Sequence, residues 1–221
     1  MFFRYNYHKT SEIDSSVFNR EVHEDMRDSK HSNDSNETKV RHYKSQFSYA
    51  HGSVMCTTVC FHWLISNLLN WSTPMCEDKI MDSIMSWSAN IHRLICEREY
   101  GHCKMLYQSE LIEKLKVPPE ISLTEVCGSD ICAYLPKIDT DSENMIFLTF
   151  DKLPDILKEN CGLMITAGAH TVSVLGTKYA FYVFDPASAY VKKIERSEKT
   201  ELTKLLCHNY DEFDGTLFRV K

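Results

Sequence analysis

From residue 55 to about 70, apolar side chains recur at helical spacing, with Cys60, Phe61, Leu64, Ile65, Leu68 and Leu69 as anchors. The segment is apolar nearly all round, which predicts a central helix. A second helix is predicted over about 77–96. Glu77 and Asp78 enrich its first turn, and Ile80, Ile84, Trp87, Ile91, Leu94 and Ile95 form one stripe. Ser109 reads as the cap of a short third helix that Pro118 and Pro119 end. A fourth is read over 151–160, with Leu153, Ile156 and Leu157 facing inward. After Gly162 the texture changes to short runs rich in β-branched and aromatic residues, at 163–166, 171–175 and 179–184. These predict strands, and 217–220 predicts an edge strand. Helices first and antiparallel strands last predict an α+β fold of two layers.

Residues 1–44 stand apart. Ser, Asn, Asp, Glu and Lys dominate them, most of all at 31–39. Such a composition buries too little apolar surface to offset the entropy of ordering, so a disordered tail is expected before one domain over 45–221. Hydrophobic residues make up 43% of the 221 residues, enough for one core. The net charge of -6 argues against nucleic acid or an anionic membrane surface as main partners. No run of 18 apolar residues and no signal-like start occur, so a soluble intracellular protein is expected. The nine cysteines are irregularly spaced with no CxxC pair, which fits free thiols in a reducing compartment.

The candidate chemistry starts at Cys56, at the mouth of the first helix. Unpaired N–H groups there favour a thiolate, and Gly52 and Ser53 suit a tight entry turn. His170 begins one arm of a predicted hairpin whose other arm ends at Asp185, with Gly176-Thr177-Lys178 between them. Loops of two or four residues give registers in which paired positions sum to 353 or 355. Either register puts His170 and Asp185 on one face, because side chains alternate with period two. A three-residue loop would separate them. An Asp accepting from the imidazole would fix its tautomer and stabilise the imidazolium formed when it takes the Cys56 proton.

A Cys, then a His, then an Asp, in that order, resembles the layout of papain-like thiol hydrolases. Three blocks also resemble the N-terminal ubiquitin-specific protease domain of herpesvirus large tegument proteins. They are Gly-Ser-Val-Met-Cys-Thr-Thr-Val-Cys-Phe-His-Trp-Leu at 52–64, the helix from Ile80 through Ile91, and Ile-Thr-Ala-Gly-Ala-His-Thr-Val-Ser-Val-Leu with Tyr-Val-Phe-Asp-Pro at 165–175 and 182–186. The likeness spans about 46–190. It implies a papain-like fold, a helical layer packed on a small antiparallel sheet. It also implies cleavage after the C-terminal glycine of ubiquitin or of NEDD8 through a thioester, with no cofactor. Cys56 would be the nucleophile, Asp185 the orienting acid, and Gln46 the oxyanion residue beside the Cys56 N–H. Its expected partners are ubiquitin or NEDD8 conjugates, and its expected place the host cytoplasm or nucleus, or the virion tegument. The family typically reads Asp-Pro-His, with that His as base, whereas this chain has Ala187; the family's Gln-Cys is here Met55-Cys56. Either His170 serves as base or the domain has lost its chemistry. A ubiquitin-binding module without activity, and a papain-like protease with another substrate, are the alternatives.

Other groupings are weaker. His92, Cys96, His102 and Cys103 contain zinc-type ligands, but their spacing matches no common zinc module, and no metal is expected. Cys60 reads as core, and Trp63, Trp71 and Trp87 read as packing of the helical layer. Lys192, Lys193 and Arg196 read as a solvated face. Glu97, Glu99 and Asp130 are acidic groups that would suit a basic peptide.

Overall fold

The computed structural model describes residues 44–69, 74, 76–129, 145–188, 190–209 and 212–221. The segment 1–43, Trp71 and Asp130 therefore lie outside the described residues. The helices are α1 (Cys56–Leu69), α2 (Asp78–Tyr100), α3 (Gln108–Leu115), α4 (Leu153–Ile156) and α5 (Lys199–Asn209). The strands are β1 (Ile121–Ser129), β2 (Met145–Leu148), β3 (Cys161–Ala167), β4 (His170–Gly176), β5 (Ala180–Phe184), β6 (Val191–Glu195) and β7 (Glu212–Val220).

The strands form one sheet in the order β2-β1-β7-β3-β4-β5-β6. Every pairing is antiparallel except β1 with β2, which is parallel. The sheet is larger than the small one expected. The predicted edge strand at 217–220 is the end of β7, which lies between β1 and β3 near the centre.

Alternation along the strands divides the apolar residues between two cores. Met164, Leu175, Phe184 and Phe218 join α1, α2 and α3 on one face. Leu163, Ile165, Val172, Val174, Phe181 and Val183 join Leu202 and Leu206 of α5 on the other. The two predicted layers thus gain a third, a smaller helical cover behind the sheet. α1 is buried along nearly its whole length and presses closely on β3: a Cβ added at Gly162 would stand 2.4 Å from Leu64 Cδ1. Trp63 packs on Phe184 with ring centroids 4.9 Å apart, so it meets the sheet, while Trp87 lies against His62 in α2's contact with α1.

Several boundaries differ from expectation for identifiable reasons. α2 runs on past 96 to Tyr100 and stops where Gly101 takes a positive φ of 72°. α3 begins at Gln108, and Glu110 accepts the Tyr107 N–H at 2.8 Å, so Ser109 lies inside the helix rather than capping it. The fourth helix is only Leu153–Ile156, preceded by a 3-10 turn. Arg196 is not part of a solvated face. It donates to the carbonyls of Thr177 (2.6 Å) and Leu157 (2.8 Å) and lies over the Phe181 ring. Lys193 pairs with Glu195 at 2.6 Å.

Candidate active site

Three segments bring the site together. Met55 accepts the Val59 N–H at 3.0 Å and so opens α1, which leaves Cys56 as its first residue. His170 is the first residue of β4, after a two-residue turn closed by the Ala167–His170 pair, in which Gly168 holds φ at 58°. Asp185 follows the last residue of β5.

The β4–β5 hairpin pairs in a register that sums to 357, from Ser173 with Phe184 to Gly176 with Phe181. Neither expected register occurs. The turn closes at Thr177 and Ala180, where the Thr177 N–H donates to the Ala180 carbonyl at 2.9 Å. Gly176 marks no turn: a Cβ there would stand 2.4 Å from the Lys158 carbonyl oxygen, so the glycine serves a close approach. The shift from 355 is two residues, which preserves the facing of every side chain. His170 and Asp185 therefore share a face just beyond the paired rungs, and the imidazole Nε2 is 2.8 Å from Asp185 Oδ1. The pairing goes no further: Asp185 to Ser188 is a turn, in which the Ser188 N–H donates to the Asp185 carbonyl at 3.0 Å.

Asp185 is held from its own chain by the Ala187 N–H at 2.9 Å and the Ser188 hydroxyl at 3.3 Å. With Nε2 engaged, Nδ1 is the ring nitrogen left to face Cys56, the second group that raises His170. Burial pushes the Cys56 thiol up, but the bond and charge of His170 and two bonds from Thr171 outweigh it and hold the thiol below its usual value. The bonds to Asp185 and then to Cys56 outweigh burial at His170 and raise it to about 9. Burial likewise opposes ionisation of Asp185, yet His170, Ala187 and Ser188 keep the carboxyl below its usual range. All three shifts run toward the charged forms: the thiol is held down by His170, the imidazole up by Asp185, and the carboxyl down by His170.

Gln46 comes to the same place by its backbone. Its N–H donates to the Pro186 carbonyl at 2.8 Å, which ties it to the turn that carries Asp185. Its side chain is buried, and its Oε1 has no partner among the described residues. The segment folds tightly over Gly52, where a Cβ would stand 1.9 Å from the Gln46 carbonyl oxygen. A cavity of about 570 Å³ opens beside the β3–β4 turn, with Gln108, Ile112, Leu123, Thr166, Gly168 and Asp214 in its lining.

The fold is matched in solved structures. The ubiquitin-specific protease encoded by murine cytomegalovirus tegument protein M48, solved in complex with a ubiquitin-based suicide substrate, superposes with a TM-score of 0.58. The match covers 81% of this chain and 85% of that one at 17% identity. The fold is that of a papain-like cysteine protease. The Pseudomonas avirulence protein AvrPphB also aligns, with a TM-score of 0.44 and 13% identity over 75% of this chain and 92% of that one. No protein-family model matches the chain, and neither does any curated protein.

The papain-like fold holds a second Cys–His pair with the opposite electrostatics. His92 Nδ1 is 2.9 Å from Thr58 Oγ1 and its Nε2 is 3.5 Å from Cys96 Sγ. Burial lowers His92 to about 4 and raises Cys96, so this pair stays neutral. Among the described residues, no cluster of three or more His, Cys, Asp or Glu side chains could hold a metal ion. Cys60 is fully buried and donates to the Thr171 carbonyl at 3.2 Å. Glu97 and Glu99 are engaged by Arg93 and Lys114. Sequence reading missed Thr171, the other polar neighbour of the thiol. It sits in the predicted strand next to His170, but contact with Cys56 depends on how α1 crosses β4.

Proposed function

We propose that this chain is a cysteine protease of the deubiquitinating or deneddylating kind, in which Cys56 is the nucleophile and His170 the general base and acid. The observation that carries the proposal is the position of His170. Its Nε2 meets Asp185 at 2.8 Å, and the His170 ring and the Cys56 thiol each shift the other toward its charged form. The neutral His92–Cys96 pair shows that proximity of these residue types alone does not produce an ion pair.

In this reading the Cys56 thiolate attacks the carbonyl of the substrate's C-terminal glycine. The oxyanion is received by the Gln46 amide and the Cys56 N–H at the α1 N-terminus. His170, protonated by the Cys56 thiol, gives that proton to the departing amine as the C–N bond breaks. A thioester remains. Water then attacks it with its proton passing to His170, and the thiol is released. Asp185 keeps Nδ1 of the ring directed at sulfur and stabilises the imidazolium.

The likeness to the M48 protease supports ubiquitin as the substrate class, and the resemblance of residues 52–64 and 165–186 supports a tegument-type relative acting inside the host cell. The deciding experiment presents ubiquitin and NEDD8 with a thiol-reactive group at the C-terminus to the wild type, Cys56→Ala and His170→Ala. An adduct that requires both residues is expected. Binding of ubiquitin with no adduct would instead make the chain a recognition module, and neither binding nor adduct would point to another substrate.

A further inference from the structure

The segment that carries Gln46 has little of its own to hold it. Among the described residues, its 3-10 turn, Gln46–Ser48, has no side-chain cap, and the amide oxygen Oε1 has no partner. Turns of this kind bond poorly, so such a segment takes its position from what surrounds it. Pro186 holds one side by accepting the Gln46 N–H at 2.8 Å. The other side is held by Asp82, in the second turn of α2.

Asp82 Oδ1 accepts the Lys44 N–H at 3.3 Å and the Tyr49 hydroxyl at 3.1 Å. The same hydroxyl lies 3.4 Å from the Asp82 carbonyl oxygen. The direction of each bond is fixed, because a backbone N–H only donates and a carboxylate or carbonyl oxygen only accepts. Burial, then the charge of Asp82 and the bond to it, push the Tyr49 hydroxyl above its usual value, so it keeps its proton. One carboxylate thus grips the chain on both sides of Gln46. The Tyr49 N–H also donates to the Gln46 carbonyl at 3.0 Å, so the grip on Tyr49 passes directly to Gln46. Packing does not demand this, since phenylalanine would meet the helical core as well as the Tyr49 ring does. An oxyanion donor, by contrast, must stand in place before the anion forms, because its value lies in needing no reorganisation.

We propose that Asp82 is a positioning residue of the oxyanion side, which fixes the place of the Gln46 amide by accepting from Lys44 and Tyr49. The proposal rests on the reading of Gln46 as oxyanion donor. It makes α2 the support of that donor, as the Asp185 turn is the support of His170.

Two readouts separate this role from general stability. Hydrolysis of ubiquitin joined at its C-terminus to a fluorescent amine builds an oxyanion. Alkylation of Cys56 by iodoacetamide forms a carbon–sulfur bond as iodide leaves, and builds none. Its rate is followed against pH, with the labelled Cys56 peptide counted by mass spectrometry so that the other cysteines do not interfere. Tyr49→Phe and Asp82→Ala are each expected to lower kcat about 10–100-fold with KM unchanged. Both should leave the rate and the pH midpoint of alkylation at the wild-type values. Asp82→Asn keeps an oxygen that accepts, and it should retain most of the activity. In a Gln46→Ala background, where kcat is already low, Asp82→Ala should cost no more than about twofold further. Tyr49→Phe carries both tests if Asp82→Ala loses cooperative thermal unfolding.

A wild-type kcat in Tyr49→Phe and Asp82→Ala, while Gln46→Ala lowers it, would overturn the proposal. So would an equal fall from Asp82→Ala with and without the Gln46 side chain, because positioning has nothing to act on once the amide is gone. A wild-type kcat in Gln46→Ala, or a wild type that hydrolyses nothing, would instead remove the reading on which the proposal rests, and the proposal with it.

Discussion

His170 and Asp185 meet at 2.8 Å although they are not opposite one another in the hairpin. In the 357 register Asp185 is level with Val172, and His170 reaches it on the diagonal just past the last paired rung. The contact is possible because the β4–β5 ladder begins only at Ser173 and Phe184, so neither side chain is confined between neighbouring strands. Asp185→Asn keeps the shape but accepts through a neutral oxygen. Turnover of a ubiquitin conjugate should fall about 10²–10⁴-fold, and the upper limb of the alkylation profile should move down from about 9. An unchanged upper limb would show that Asp185 does not hold the ring.

The same pair makes stability depend on pH. His170 is raised from 6.5 to about 9, so its contribution is complete below about 6.5 and is lost as pH rises through about 9. Asp185 is shifted the other way, so its contribution is present above 3.8 and is lost at more acid pH. The difference in urea midpoint between wild type and His170→Ala should therefore be largest just below pH 6.5 and shrink toward pH 10. A difference that grows with pH would contradict the assignment.

Gly52 offers a way to disturb the oxyanion side without touching the thiolate. In Gly52→Ala the new methyl group meets backbone, not a flexible side chain, so the Gln46 segment must shift. A loss of about 1–3 kcal/mol in stability is expected, together with a fall in kcat. The pH midpoint of Cys56 alkylation should stay at the wild-type value. Movement of that midpoint would mean that Gln46 and Cys56 are not separable in this way.

Arg196 is a structural test. Its guanidinium joins the β4–β5 turn at Thr177 to the segment after α4 at Leu157, two carbonyls that no regular strand pairing serves. Arg196→Ala should lower unfolding free energy by about 2 kcal/mol in urea titration, and Arg196→Lys should recover less than half of that loss.

Much of this arrangement was legible in the chain because it depends on period. The alternation at 163–184 fixed which residues face each core, and it survived an error in the turn since the error was an even number of residues. The turn itself was misread because Gly176 signals loop in sequence, while in space it admits the Lys158 carbonyl. β1 runs from Ile121 to Ser129 directly after Pro118 and Pro119, but its alternation breaks at Glu125-Val126, so it was hidden behind the helix that those prolines were taken to end. α5 has only Leu202 and Leu206 deeply buried, which gives too short a stripe to separate it from a polar loop. The hydroxyl line from Gln108 through Thr166 to Thr171 and Thr57 had no sequence signal at all. It joins α3, β3, β4 and α1, and only the packing of all four makes it a line.

The contact of both His170 and the Ala187 N–H with Asp185 has a consequence for substitution. If an imidazole can approach Cys56 from either side of this hairpin, His170→Ala combined with Ala187→His should recover at least tenfold of the labelling lost in His170→Ala alone, within the range general-base catalysis supplies. Failure of the double variant, with its fold intact, would confine the base to β4.

A catalytic base is usually sought as a letter in a string, a fixed number of places from its acid. Here the shared feature is a carboxylate: Asp185 bonds the His170 ring from one side and the Ala187 N–H from its own turn. A signature written along one segment sees only an alanine at 187, whereas one written around the carboxylate also sees His170.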